Sequence, residues 1–292
     1  MFLDSIEEGK ILNKKETIEM IFEIIPHIKK FHSKYSKLYI IFDSFIKSYF
    51  QNYKGNILDI FPIDGIIWPH IKLGNTTNSY SFFNMVEFMI YNFYWINRDK
   101  YKIIFDIGAN LGPDSIILDK FGYQIHSFEP DPWNFDKFIN NIKNNNCNNI
   151  KANKKAVSNQ TGTSEFIRVH GNVTANHLSG VRDFYGEYDR IIVETININE
   201  YEVSPDLIKI NVEGHENEVI QSIDHKKWQN MDAIVEVHNE DNRRLIFNYF
   251  KNSNINIFSQ TLGWEKVKEA EEISIRKEYI FISSKDKMPW NS

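Results

Sequence analysis

The chain has 292 residues, of which 42% are hydrophobic and 25% charged, and its formal net charge is −5. This composition is typical of a globular protein with a substantial core. It lacks the overall basic excess of a nucleic-acid-binding protein, so we predict no nucleic-acid partner. The single cysteine, Cys147, excludes an internal disulfide. The first residues show no basic segment followed by an apolar run, and the most apolar window, 82–96, is short and interrupted by polar residues. We therefore expect a cytoplasmic protein without a membrane span.

Residues 1–100 are predicted to form a mainly helical cap. Three segments have the apolar spacing or richness of helices: 16–30, 38–50 and 79–97. Pro26 is expected to kink or end the first, and 53–78, rich in glycine and proline, predicts loop with short strand pieces. The third helix is apolar all round, which indicates burial against the sheet or against a second subunit, and so a homodimer through these helices. Trp68, His70 and the aromatic rings of the third helix form either an acceptor wall or ordinary core.

Strands and helices alternate in residues 101–292, which predicts a parallel, doubly wound sheet. The predicted strands are 103–107, 124–128, 150–157, 163–169, 191–196, 207–212 and 233–237. The predicted helices are 115–121, 133–143, 216–223 and 243–251. Two further strands, 255–258 and 279–283, are expected to pair antiparallel at the sheet edge. Residues 171–186 show no period and are predicted to form a long functional loop, with Asn172 and His177 as candidates for substrate contact.

A glycine-bearing turn follows the strand 103–107, and in open α/β sheets ligands bind where a strand's carboxyl end meets the next helix. A dinucleotide fingerprint is absent, because Asn110 and Pro113 stand where its second and third glycines belong, and no phosphate-binding Lys-Ser or Lys-Thr follows. Glu129 ends the next strand, and a carboxylate there is suited to accept hydrogen bonds from both hydroxyls of a ribose. An adenosine with a small charged tail fits this pattern, and we predict S-adenosylmethionine.

Three blocks of sequence resemble the signature of the FkbM-type S-adenosylmethionine-dependent methyltransferases, in the same order and spacing. They are Phe105-Asp-Ile-Gly-Ala-Asn-Leu-Gly112, Phe128-Glu-Pro-Asp-Pro132 and Ile208-Lys-Ile-Asn-Val-Glu-Gly-His-Glu216. The resemblance covers roughly residues 100–285. It implies a Rossmann-like, seven-stranded class I methyltransferase sheet with an antiparallel last strand. It also implies methyl transfer to a hydroxyl, often of a sugar, a sugar nucleotide or a glycan precursor in polysaccharide biosynthesis.

Three alternatives stay open at this point. One is an N-methyltransferase on the same fold, since the acceptor sets the chemistry. A second is a non-catalytic module that binds an adenosine ligand. A third, a nucleotide-dependent oxidoreductase, is disfavoured by the failed glycine pattern.

The resemblance also implies roles for cofactor-binding residues. Asp106 and Gly108 match the motif that binds the methionine part, and Glu129 is the ribose acceptor. Asn110 either contacts the cofactor or adopts the left-handed conformation that asparagine tolerates. Asp131 either caps the following helix or contacts the adenosine. Ala156 and Val157 either contact the adenine or belong to the hydrophobic core.

The third block contains a departure from the family pattern, because Asn211 stands where many members have Asp. A neutral amide cannot act as a base and is a poor ligand for a hard cation, which argues against a metal-assisted mechanism. Deprotonation of a sugar hydroxyl favours a base with a near-neutral pKa, and His215 and His238 are the two candidates at the carboxyl side of the sheet. Glu213 and Glu236 are predicted to orient the histidine or to bind substrate hydroxyls.

Overall fold

The N-terminal region packs three helices and a hairpin against the sheet that follows. The computed structural model describes residues 14–27, 36–51, 53, 55–60, 62–73, 78–170, 175–180, 187–275 and 278–288. The N-terminal elements are α1 (Lys14–Ile24), α2 (Lys37–Gln51), β1 (Ile57–Ile60), β2 (Ile63–Ile67) and α3 (Met85–Ile96). Pro26 lies in a short 3₁₀ turn directly after α1, so the first helix ends at the proline as predicted. The side-chain oxygen of Asn84 accepts hydrogen bonds from the backbone of Val86 and Glu87, which caps α3.

The described residues after 100 form two sheets and four α-helices. The strands are β3 (Ile103–Ile107), β4 (Gln124–Phe128), β5 (Ile150–Asn153), β6 (Ala156–Ser158), β7 (Gly162–Val169), β8 (His177–Leu178), β9 (Tyr188–Asn197), β10 (Leu207–Ile210), β11 (Asp232–Glu236), β12 (Asn256–Ser259), β13 (Glu265–Lys266) and β14 (Tyr279–Ser283). The helices are α4 (Pro113–Lys120), α5 (Pro132–Asn144), α6 (Glu216–Ser222) and α7 (Glu240–Phe250).

The main sheet has the strand order β13-β12-β14-β11-β10-β3-β4-β5. The five strands from β11 to β5 run parallel, whereas β14 is antiparallel to both of its neighbours, β11 and β12. The predicted Rossmann-like sheet with an antiparallel last strand is therefore confirmed. Its strand count is eight where seven were expected, because the two-residue β13 pairs with β12 and extends the edge.

A second, four-stranded sheet has the order β6-β9-β7-β8 and corrects the prediction for residues 150–197. The segment 150–157 forms two strands, and the chain leaves the main sheet after Asn153. The predicted strand 163–169 is real, but it belongs to this second sheet, where β7 pairs antiparallel with β9. Within the predicted loop 171–186, His177 lies in the short strand β8, which pairs with β7. The sequence did not indicate this strand, because two residues are too few to show a hydrophobic period. Asn172 lies outside the described residues.

One hydrophobic core joins the N-terminal region to one face of the main sheet. Phe22 and Phe88 of the N-terminal helices belong to the same buried cluster as Ile104 and Phe281 of the sheet. Trp68 is fully buried in this cluster, and its indole N–H donates to the backbone oxygen of Ser79 at 3.0 Å. The core interpretation of Trp68 is therefore correct, and that ring forms no acceptor wall. In the described part of the chain, no helix combines the length and apolarity that a membrane crossing requires.

Candidate active site

The turn after β3 places the ends of β3 and β10 in direct contact. Gly108 has φ +83°, and a Cβ at this position would lie 1.8 Å from the backbone oxygen of Asn211. Only glycine fits such a backbone at such a distance. The predicted glycine turn therefore brings the first and third sequence blocks together at the carboxyl end of the sheet.

Glu129, at the end of β4, is fastened by two backbone hydrogen bonds. Its Oε2 accepts from the N–H of Asn110 and its Oε1 from the N–H of Asp131, each at 2.8 Å. Asn110 adopts the left-handed conformation with φ 52°, which aims its N–H at this carboxylate. Burial raises the pKa of Glu129 to about 7, although these hydrogen bonds oppose the rise. The carboxylate is thus held in one orientation at the wall of a pocket.

That pocket lies above the carboxyl ends of β3, β4 and β10, between α3 and the second sheet. Eight of the twelve predicted site residues line it: Gly108, Asn110, Glu129, Ala156, Val157, Asn211, Glu213 and His215. Asp106, Asp131, Glu236 and His238 are not among its lining residues. The second sheet contributes Phe166, His177 and Leu178, whereas α3 and the turn before it contribute Phe82, Glu87 and Tyr91.

Asp106 is fully buried below the pocket and binds side chains of the protein. Its Oδ2 accepts a hydrogen bond from Ser115 at 2.5 Å, and its Oδ1 lies 3.1 Å from the ammonium of Lys209. Lys209 also lies 3.4 Å from Asp114 and donates to the backbone oxygen of Gly108 at 3.3 Å. Despite burial, the aspartates raise the pKa of Lys209 and keep it charged. Asp106 therefore supports the glycine turn through Lys209, and the acid of this cluster that lines the pocket is Asp114.

Asp131 has a structural role in this geometry. Its Oδ1 accepts from the backbone N–H groups of Trp133 and Asn134, which caps α5, and its Oδ2 lies 2.7 Å from Nε of Arg168 on β7. Asn176 adds a longer contact of 3.4 Å to the same oxygen. Asp131 therefore caps a helix and ties the second sheet to the main one, which fits the cap interpretation and not the adenosine contact.

The two candidate histidines differ in charge and position. His215 lines the pocket, with its Nε2 3.4 Å from the Ser158 hydroxyl, and burial lowers its pKa although Glu218 and Glu216 oppose this. His238 lies behind the pocket wall. Burial lowers its pKa too, but its 2.8 Å hydrogen bond to Glu216 and the charges of Glu213 and Glu236 outweigh burial and raise the pKa to about 9. At neutral pH, His215 is the neutral imidazole and His238 the charged one.

Asn211 and Glu236 form a pair beside these histidines. The Asn211 amide donates to Glu236 Oε2 at 2.7 Å, and Glu236 Oε1 lies 3.7 Å from Nε2 of His238. Glu213 has φ 55°, a conformation that glycine normally adopts, and this turn brings its side chain to the pocket. Within the described ranges, no group of three or more His, Cys, Asp or Glu side chains is arranged to hold a metal ion.

Comparison with known proteins agrees with this geometry. The family model described as the methyltransferase FkbM domain matches residues 106–269, more than half of the chain. The chain belongs to the FkbM methyltransferase family. The membership confirms the predicted enzyme class, an S-adenosylmethionine-dependent methyltransferase.

Several solved structures are similar to parts of the chain at low sequence identity. A precorrin-6y C5,15-methyltransferase from Geobacter metallireducens is 11% identical, with a TM-score of 0.38, and the match covers 64% of this chain and 84% of that one. An O-methyltransferase from Bacillus cereus, in complex with SAH, is 12% identical, with a TM-score of 0.37 and coverages of 66% and 76%. An SAH-bound methyltransferase from Podospora anserina is 12% identical, with a TM-score of 0.38 and coverages of 68% and 79%. No curated protein matches the chain. Because all three TM-scores lie below 0.5, the family assignment rests on the match to the FkbM domain.

The pocket residues fit the cofactor of this methyltransferase family. Three buried side-chain oxygens of its lining residues, Asn110 Oδ1, Asp114 Oδ1 and Asn134 Oδ1, accept no hydrogen bond within the described part of the protein. Buried acceptors without donors are costly, so a ligand that carries hydroxyl and ammonium groups suits them. Apolar side chains such as Val157 and Phe166 line the same pocket and suit a flat aromatic ring.

Sequence reasoning missed several residues of this site. Lys209 stands inside the third block, where a lysine in an apolar strand was itself a signal, because a buried ammonium requires carboxylate partners. Asp114 looked like a first-turn helix acid, and Glu87 like a polar interruption of an apolar helix. Nothing in the sequence pointed to Arg168 as the partner of Asp131.

Proposed function

We propose that this FkbM-family methyltransferase transfers a methyl group to a hydroxyl, on a sugar, a sugar nucleotide or a glycan precursor. The observation that carries the proposal is the position of the His215 imidazole at the pocket wall, beside the polar side chains of Asn211 and Glu213, where burial lowers its pKa. Loss of a hydroxyl proton during transfer needs a nearby base that is unprotonated at neutral pH. An amine acceptor can be deprotonated by solvent and has less need of such a group.

In this proposal the cofactor's ribose hydroxyls donate to Glu129, and Asn110 holds that carboxylate in place. Ala156 and Val157 would hold the adenine, and the turn at Gly108 would hold the methionine part. S-adenosylmethionine supplies an electrophilic methyl group on its sulfonium when bound. The protein's contribution is mainly orientation, with the acceptor oxygen held at about 3–3.5 Å from the methyl carbon.

His215 is the proposed catalytic base. Its Nδ1 lies 3.7 Å from Glu218 Oε2, so the carboxylate stabilises the imidazolium that forms when the ring takes the acceptor's proton. His238 is already protonated near pH 7, because three glutamates surround it, and so it is suited to hold Glu213 and Glu236 in place. Asn211, kept by its bond to Glu236, and Glu213 are the proposed contacts to acceptor hydroxyls.

A panel of sugar nucleotides assayed with methyl-labelled S-adenosylmethionine tests the reaction. We expect label in at least one sugar hydroxyl, and label only in amine acceptors would contradict O-methylation in favour of N-methylation. With the acceptor found, His215→Asn should lower kcat about 10²–10⁴-fold, the usual range for general-base help, while cofactor affinity is kept. His238→Asn is the matched variant outside the pocket, and a larger kcat loss there than at His215 would refute our assignment of the base.

The pH profile and a chelator separate the proposed mechanism from its rivals. Since burial lowers the pKa of His215 from its ordinary value of 6.5, kcat should fall toward acidic pH with a midpoint below pH 6.5. Because Asn211 replaces the acid expected of a metal ligand, EDTA should leave turnover unchanged. Turnover lost in EDTA and restored by added metal would contradict this part of the proposal.

We also propose a homodimer through the N-terminal helices. Ile40 and Ile41 on α2 are exposed by 54% and 61%, an unusual position for two adjacent large apolar side chains. Analytical ultracentrifugation tests this directly, with Ile41→Lys expected to give a monomer. A wild-type monomer at micromolar concentration would exclude the dimer.

A further inference from the structure

Glu87 brings a carboxylate from the N-terminal region into the cofactor pocket. It lies in the first turn of α3, a helix whose start is set by the Asn84 cap. The helix is apolar on nearly every face and packs on the sheet, so its one acidic side chain has a defined position. Glu87 lines the pocket together with Asp114 and Tyr279. Its partner there is the Tyr279 hydroxyl, 3.3 Å from each carboxylate oxygen.

The end of the pocket lined by Glu87, Asp114 and Tyr279 has more acidic than basic side chains. Lys209 is the cation at this end, and it pairs with Asp106 and Asp114 at 3.1 and 3.4 Å. Glu87 is a third carboxyl group close enough to interact with these charges. Glu236 is a fourth, and its negative charge also repels that of Glu87. Burial raises the pKa of Glu87, and the charges of Asp114 and Glu236 raise it further. The ionised form of such a carboxyl is stabilised when a cation binds beside it.

A second observation also points to a cationic ligand. Asp114 is only 6% exposed and lines the pocket, and its Oδ1 accepts no hydrogen bond within the protein. Its Oδ2 faces Lys209 at 3.4 Å, so Oδ1 is the oxygen that lacks a partner within the protein. Burial raises the pKa of Asp114 to about 6 although Lys209 opposes the rise. An N–H⁺ donor placed between Asp114 and Glu87 would satisfy both carboxylates.

We infer that Glu87 and Asp114 together bind the ammonium group of the methionine part of S-adenosylmethionine, so that the N-terminal region completes the cofactor site. The inference rests on the cofactor position proposed above, with ribose on Glu129 and methionine over Gly108. It gives residues outside the matched family segment, 106–269, a direct role in ligand binding. It also explains why a carboxylate is retained in a helix that is otherwise buried and apolar.

Calorimetric titration with three ligands tests the inference. S-adenosylmethionine and S-adenosylhomocysteine both carry the ammonium, whereas 5′-deoxy-5′-methylthioadenosine lacks the whole amino-acid part. Glu87→Gln should weaken the first two about 10- to 100-fold, the usual effect of losing a hydrogen bond to a charged group. The third ligand should bind both forms within about twofold, since its adenosine contacts are unchanged. Glu16→Gln, which removes an exposed first-turn acid of α1, is the matched control and should bind all three ligands as wild type does.

The possible outcomes separate this inference from the proposed function. Unchanged affinity of Glu87→Gln for both ammonium ligands would overturn it, as would an equal loss for all three ligands, which indicates local misfolding. A loss for S-adenosylmethionine alone would assign Glu87 to the sulfonium and also overturn it. If wild type binds none of the three ligands, the proposed cofactor site itself fails, and the inference fails with it.

Discussion

Replacing Gly108 with alanine should both destabilise the protein and lower its affinity for the cofactor. The left-handed backbone at φ +83° costs an L-residue about 1–2 kcal/mol. In addition, the new Cβ would lie 1.8 Å from the Asn211 oxygen and 2.8 Å from its carbonyl carbon. The ends of β3 and β10 must move apart to relieve this overlap, and such overpacking costs about 1–3 kcal/mol. We expect a total loss of about 2–5 kcal/mol in the free energy of unfolding.

Gly122 provides a matched control, because it has a similar φ of +91° and a Cβ added there would meet no atom within 4 Å. Gly122→Ala should therefore lose only the backbone part, about 1–2 kcal/mol. Urea denaturation followed by circular dichroism measures both losses, and calorimetry measures affinity for S-adenosylmethionine. Gly108→Ala should bind the cofactor at least about tenfold more weakly, a change of about 1.4 kcal/mol. Equal losses of stability for the two variants, with cofactor affinity unchanged, would refute our account of the Gly108–Asn211 contact.

Three further predictions concern charged groups of the site. The pKa of Glu129 is about 7, and only the ionised form accepts from both ribose hydroxyls, so calorimetric affinity for S-adenosylmethionine should fall below pH 7. This fall should be smaller in Glu129→Gln, and identical pH profiles would contradict the ribose assignment. The pKa of His238 rises from 6.5 to about 9 on folding, so its stabilisation of about 3 kcal/mol is complete below pH 6.5 and lost as pH rises through 9. The difference in unfolding free energy between wild type and His238→Gln should therefore shrink as pH rises from 6.5 through 9. A difference that stays constant over this range would refute the stabilising role of the charged His238. Lys209→Met should cost about 3–5 kcal/mol in urea denaturation because it leaves buried carboxylates unpaired. Lys266→Met, which removes an exposed pair with Asp286, should cost less than about 1 kcal/mol, and similar losses would contradict the buried-charge argument.

The second sheet is the part of the fold that could not be predicted from the sequence. The strand 163–169 has clear β character, and its existence was predicted correctly. Its sheet was not, because a strand's sequence records which side chains are buried and not which neighbour it pairs with. The break between β5 and β6 after Asn153 spans two residues, too few for a change in the hydrophobic pattern to be visible.

Part of the pocket lining was nonetheless predictable, since short motifs combine a backbone requirement with a chemical one. Gly108 and Glu129 were found for this reason: one needs a conformation that glycine alone tolerates, and the other is a carboxylate at a strand end. The charges of the two histidines were beyond such reasoning. The pKa of His238 depends on Glu216, Glu213 and Glu236, which the fold places around it, whereas burial dominates the pKa of His215.

The sequence by itself determined the family, the alternation of strands and helices, and the glycine turn after β3, because each is recorded in short motifs or local patterns. Only the tertiary structure decided which acids face the pocket. It buried Asp106 under Lys209, turned Asp131 toward Arg168, and brought Glu87 from the N-terminal helices to the pocket. The physical reason is that burial and charge balance are properties of a three-dimensional neighbourhood, assembled here from separate segments of the chain.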